Sequence, residues 1–67
     1  MKVVQAKRGE HYFDAIHRAI NKANERTESV LFVVTYQRDN VFAFVVKPRM
    51  DFEDIYFDFD EWLRSVK

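Results

Sequence analysis

The chain has 67 residues, with no cysteine, one glycine and one proline. Eleven basic and eleven acidic residues give a formal net charge of zero, and 48% of the residues are hydrophobic. These values predict one small folded domain over residues 1–67, and they exclude a disulfide scaffold, a cysteine-based zinc site and a multidomain enzyme.

The N-terminal part of the sequence predicts a strand, a polar loop and a helix. Residues 2–6 contain two adjacent valines and predict a short strand. Residues 10–25 predict an amphipathic helix because apolar residues recur at the spacing of one helix face, at Phe13, Ile16, Ile20 and Ala23. The loop Lys7-Arg8-Gly9 precedes this helix, whose free N–H groups favour anions, so we expect either a phosphate site or a solvated loop there.

The middle of the chain predicts a β-hairpin. Ser29–Gln37 and Val41–Lys47 are rich in β-branched and aromatic residues, which favour strands. The three polar residues 38–40 separate these runs and provide a turn of hairpin length. Pro48 ends the second arm because proline cannot donate a hydrogen bond to a sheet ladder.

The C-terminal part predicts a third hairpin strand and a short helix. We interpret Glu53–Phe57, in which two acids precede Ile55, Tyr56 and Phe57, as a strand. Asp58 and Glu61 have the spacing of a capping box, so we expect the helix to begin at Asp58, with Phe57 and Trp62 as a hydrophobic staple. The predicted order is β-α-β-β-β-α, an α+β fold whose antiparallel sheet of hairpins is packed by both helices.

Both faces of the predicted sheet are apolar. One face of the second hairpin arm carries Val41 and Val45, and the other carries Phe42 and Phe44. A sheet with one wet face would alternate apolar and polar residues, so we expect both faces to be covered. Either the two helices suffice, or a sheet face or edge serves dimerisation or partner binding. The residues expected on a spare sheet face are Phe42 and Phe44.

The segment 51–61 combines acidic and aromatic residues. Six of its eleven residues are acidic, and residues 51–67 carry two basic and six acidic residues, against nine basic and five acidic residues before them. These acids either belong to a solvated, capped helix or form a protein-binding surface that fits a basic groove on the partner. The predicted surface residues are Phe52, Asp54, Tyr56, Asp58, Asp60 and Glu61.

The sequence offers little for catalysis, and we expect no enzyme, cofactor or metal site. No hydroxyl lies in a nucleophile elbow or a glycine-rich turn. His11 and His17 are six residues apart, which places them on different sides of a helix, whereas a two-histidine site needs a spacing of four.

Two partial resemblances concern RNA-binding families. Phe42–Val45 resembles the centre of the first ribonucleoprotein motif of RNA-recognition domains, although residues 2–6 lack the aromatic of the companion motif. The predicted order from Glu10 to Lys67 is similar to the double-stranded RNA-binding domain. That family has basic residues at the start of its last helix, where this chain has Asp58, Asp60 and Glu61, so we assign the chain to neither family.

We therefore expect a non-enzymatic protein–protein interaction module that acts as an inhibitor, adaptor or accessory subunit, for example a phage-type inhibitor of a host nucleic-acid-handling machine. One alternative is a self-associating structural or regulatory protein, such as a homodimer. Another is a nucleic-acid-binding protein that uses the basic residues Lys2, Lys7, Arg8, Arg18, Lys22 and Arg26. The absence of cysteine and of a long apolar run predicts a cytoplasmic protein without membrane contact.

Overall fold

The computed structural model describes residues 1–67 and contains three strands and two helices. In chain order they are β1 (Lys2–Gln5), α1 (Tyr12–Arg26), β2 (Val30–Tyr36), β3 (Asn40–Val46) and α2 (Phe52–Val66). The strands form one sheet in the order β1-β2-β3. This confirms a small α+β fold that pairs two helices with one sheet.

The sheet is mixed rather than antiparallel throughout. β2 and β3 form the predicted antiparallel hairpin, in which Phe32 lies opposite Phe44 and Val34 lies opposite Phe42. β1 pairs with β2 in parallel, because α1 runs between the two strands and returns the chain to the same end of the sheet. The predicted sheet made only of antiparallel hairpins is therefore wrong.

The predicted third hairpin strand at residues 53–57 is also wrong, since these residues belong to the first turns of α2. Phe52, Ile55 and Phe59 are spaced three and four residues apart, so they share one helix face. Ile55 and Phe59 are completely or almost completely buried. A five-residue segment is too short to distinguish a strand from a helix, and the longer apolar stripe decides in favour of the helix.

The N-cap of helix α2 lies seven residues before the predicted cap. Asp51 is the N-cap, and its backbone N–H donates to Asp54 Oδ2 at 3.2 Å. Asp58 lies inside the helix, and Phe57 is 66% exposed and forms no staple. The pattern of two acids three residues apart occurs at both places, and only the first one precedes the whole buried stripe.

Both helices pack on the same face of the sheet. Helix α1 contacts all three strands, and α2 contacts β3 and α1. The covered sheet face contributes the buried side chains Val4, Val30, Phe32, Val34, Phe42 and Val46 to the core. The interpretation that the two helices cover both faces is wrong, because the helices form a single layer on one face.

The side of α2 that faces the core predicts how strongly substitutions at two neighbouring positions change the stability of the protein. Ile55→Val removes a methyl group from a fully buried side chain and should lower the free energy of unfolding by about 1 kcal/mol. Phe57→Ala alters a side chain that is 66% exposed and should change the free energy of unfolding by less than about 0.5 kcal/mol. Urea denaturation measures both values, and a larger cost for Phe57→Ala would contradict the face assignment.

Candidate functional site

The sheet face opposite the helices has no covering element. We call it the open face, and its side chains are Val3, Gln5, Leu31, Val33, Thr35, Val41, Ala43 and Val45. None of these residues is charged, and Val3, Val41 and Val45 are 54%, 55% and 42% exposed. Its two polar members are joined by a hydrogen bond from Gln5 Nε2 to Thr35 Oγ1 at 3.5 Å. The open face is thus a neutral apolar surface.

Phe42 and Phe44, which were expected on a spare sheet face, lie on the covered face. Phe42 is 9% exposed, and its ring centroid lies 5.5 Å from that of Phe59 and 5.4 Å from that of Trp62. Phe44 is half-buried and stacks on Phe42 at 6.1 Å. The expectation is wrong because α2 buries the aromatic face of β3 and leaves the valine face open.

The predicted acidic-aromatic surface is divided between two flanks of α2. Phe52 and Tyr56 point towards α1: Phe52 stacks on His17 at 4.8 Å, and both Phe52 and Tyr56 meet Phe13 edge-on at 5.2 and 5.1 Å. Asp60 is paired with Arg64 at 3.1 Å. These aromatic residues therefore join the two helices, and sequence alone did not show that α1 supplies their partners.

The remaining three acids lie together on the opposite flank of α2. Asp54, Asp58 and Glu61 are exposed and fall within about 60° of one another around the helix axis. None of them forms an ion pair within the protein. We call these three residues the acidic flank, and it faces away from α1.

A shallow groove separates the acidic flank from β3. It has a volume of about 440 Å³, and its lining includes the half-buried rings of Phe44 and Trp62. Asp58 and Glu61 line its helix side, and Ala43 lines its strand side. The groove thus combines an apolar base with negative charge on one wall.

The predicted anion site before α1 is filled by a side chain of the protein. Glu10 accepts hydrogen bonds from the Lys7 backbone N–H at 2.9 Å and from Arg18 Nε and Nη2 at 3.1 and 3.0 Å. Arg18 also donates to the Gln5 carbonyl oxygen at 2.7 Å, which ties α1 to β1. The Glu10 carboxylate therefore supplies a negative charge to this loop from within the protein, and His11 caps the Phe13 N–H of α1, while Arg8 is exposed.

The other basic residues are spread over the β1 side of the molecule. Lys2 is exposed on β1, and Lys22 is half-buried on the same side of α1 as Arg18 and Arg26. Arg26 is paired with Glu28 at 2.8 Å. These predicted basic residues therefore lie towards β1, and the acidic flank lies beside β3.

Both histidines have local roles. His11 is the N-cap of α1, and its Nδ1 accepts a hydrogen bond from the Phe13 backbone N–H at 3.1 Å. No group of three or more histidine or carboxylate side chains is arranged to hold a metal ion. Each helix has 15 residues, and neither is long and apolar enough to cross a membrane.

Comparisons with protein-family models, with curated proteins and with solved structures found no match. The open face, the acidic flank and the groove are therefore the candidate functional surfaces of the protein.

The Glu10–Arg18 pair predicts a pH-dependent part of the stability. Hydrogen bonds from Arg18 and Lys7 lower the pKa of the Glu10 carboxyl below its ordinary value. Because the folded pKa is the lower one, the stabilisation is present above the unfolded pKa and is lost as the pH falls through the folded pKa.

Melting temperatures measured between about pH 7 and about pH 3 test this linkage. We expect Glu10→Gln to destabilise the protein at neutral pH. On acidification, the melting temperature of this variant should fall less than that of the wild type. Glu25→Gln, at an exposed and unpaired glutamate, is the matched control. Equal acid sensitivity of the wild type and Glu10→Gln would contradict the assignment.

Proposed function

We propose that the protein is a non-enzymatic interaction module that binds a second copy of itself through the open face. The observation that supports this proposal is the neutral, apolar character of a sheet face that no helix covers. Apolar side chains in such numbers on one surface favour burial against another apolar surface. In the proposed dimer the two sheets lie in the centre and the helices lie outside.

A second copy is the occupant that best matches the chemistry of the open face. A two-fold axis brings the same patch of both chains together, so the patch must be compatible with itself. The open face meets this condition because it carries no charge that would be repelled by its own copy. Two sheets can pack face to face about 10 Å apart with their apolar side chains interdigitated.

The size of the open face predicts weak association. Seven residues at about 3.3 Å each and three strands about 4.8 Å apart give a footprint of roughly 300 Å² per chain. Stable specific interfaces bury about 800 Å² per partner. We therefore propose a reversible dimer whose population depends on protein concentration.

A role as inhibitor, adaptor or accessory subunit would use the opposite side of the molecule. In a face-to-face dimer the acidic flank stays exposed, and two copies of it are presented to a protein partner. Nucleic-acid binding has less support, because Glu10 and Glu28 already engage Arg18 and Arg26, two of the six basic residues that it would use.

Lysine substitutions on the open face test the proposed dimer. Val3 and Val45 flank Leu31 in one row across the sheet, so Val3→Lys combined with Val45→Lys places two charges in a wholly apolar row of the open face. Phe57→Lys is the control, because it replaces an exposed apolar residue on the helix layer.

Sedimentation velocity over a range from micromolar to millimolar protein provides the measurement. We expect the sedimentation coefficients of the wild type and Phe57→Lys to approach that of a dimer as concentration rises. The double variant should remain a monomer, since buried lysines would lack partners. A wild type that stays monomeric throughout, or a double variant that dimerises equally well, would contradict the proposal.

A further inference from the structure

The outer edge of β3 carries unpaired backbone groups. β3 pairs with β2 on one side only, and no backbone hydrogen bond outside the ladders involves residues 40–46. The Val33 carbonyl oxygen accepts from the Ala6 N–H at 2.9 Å, so the odd-numbered residues of β2 direct their backbone groups towards β1. The even-numbered residues of β2 therefore bond to β3, and Val41, Ala43 and Val45 direct their N–H and C=O groups to the free edge.

Nothing in β3 protects this edge against another strand. Proteins usually blunt an edge strand with a charged residue, a proline, a bulge or a short length. β3 has seven residues, contains no charge and no proline, and pairs with β2 without a bulge. The other edge strand, β1, has only four residues and includes Lys2.

The acidic flank of α2 lies on the helix side of the same edge. The groove between β3 and α2 has Phe44 and Trp62 in its lining and Asp58 and Glu61 on its helix wall. A strand added to β3 would direct alternate side chains to this groove and the others to the open face.

We infer that the free edge of β3 binds an extended peptide in which apolar residues alternate with lysine or arginine. The basic side chains would lie on the helix side, where Asp58 and Glu61 are exposed and unpaired. The apolar side chains would extend the open face beside Val41, Ala43 and Val45. Addition of a strand to an exposed sheet edge is an established mode of peptide recognition, with main-chain hydrogen bonds and side-chain pockets acting together.

The chemistry of the edge distinguishes this ligand from the alternatives. A nucleic acid lacks the alternating N–H and C=O groups that the edge needs, and its phosphates would be repelled by the acidic flank. The β3 strand of a second copy contains no basic residue to meet Asp58 and Glu61. Edge binding leaves the open face of the three strands free, so this inference does not depend on the proposed dimer.

The pairing geometry predicts which backbone nitrogens of the peptide matter. Residues directly opposite each other in adjacent strands point their side chains to the same face. Val41, Ala43 and Val45 direct side chains to the open face and backbone groups to the edge, so in an antiparallel complex they exchange hydrogen bonds with the apolar residues of the peptide. The basic residues of the peptide direct their own N–H groups away from β3.

The probe is an end-blocked, fluorescently labelled octapeptide of alternating valine and lysine, titrated with the protein at low salt by fluorescence anisotropy. We expect saturable binding, which N-methylation of the valine nitrogens abolishes and N-methylation of the lysine nitrogens preserves. A peptide of alternating valine and glutamate should not bind. Absence of binding by the valine–lysine peptide, or equal effects of the two methylation patterns, would overturn the inference.

Charge-neutralising variants test the contribution of the helix wall. Asp58→Asn combined with Glu61→Gln should weaken binding of the valine–lysine peptide by about 3- to 10-fold. Glu25→Gln combined with Glu53→Gln removes the same total charge away from the groove and should leave the affinity within about twofold. Equal weakening by both double variants would show general electrostatic attraction and overturn the assigned site. Sedimentation of each variant reports dimerisation separately, so failure of the dimer and failure of the edge site remain distinguishable.

Discussion

The packing of Phe59 against the aromatic face of the sheet is the contact on which the rest of the structure depends. Its ring lies 5.5 Å from that of Phe42 and 6.5 Å from that of Phe32, and the side chain is 1% exposed. Aromatic rings bury the largest apolar areas in a small core. This contact holds α2 beside α1 on one side of the sheet, and strand alternation then leaves the other side as the open face.

The sequence predicts the parts of the fold that are determined locally. Two apolar runs and a polar turn predict the hairpin, and an apolar stripe at helical spacing predicts α1. The face covered by α2 is determined over a longer distance, because both faces of β3 are apolar and only helix packing selects one of them. The same reason explains why Phe42 and Phe44 were assigned to the wrong surface. The outer edge of β3 is unpaired because residues 53–57, predicted as a third hairpin strand, belong to α2.

The charged residues differ in whether they have a partner within the protein. Glu10 and Arg18 form an internal pair that joins the loop, α1 and β1, so the basic residues nearest the first loop serve the fold. Asp58 and Glu61 have no such partner and line the groove beside the unprotected edge of β3. The proposed dimer and the proposed peptide site would thus use two different surfaces of one small scaffold, as expected of an adaptor or an inhibitor.

The proposed dimer requires that the open face be uncovered in the single chain. Solvent paramagnetic relaxation of valine methyl groups, measured at high dilution with a soluble nitroxide, tests this directly. We predict strong broadening for Val3, Val41 and Val45 and little for Val30, Val34 and Val46, with the first group becoming protected as concentration rises. Equal protection of both groups at high dilution would mean that a helix covers each face, and it would contradict the account.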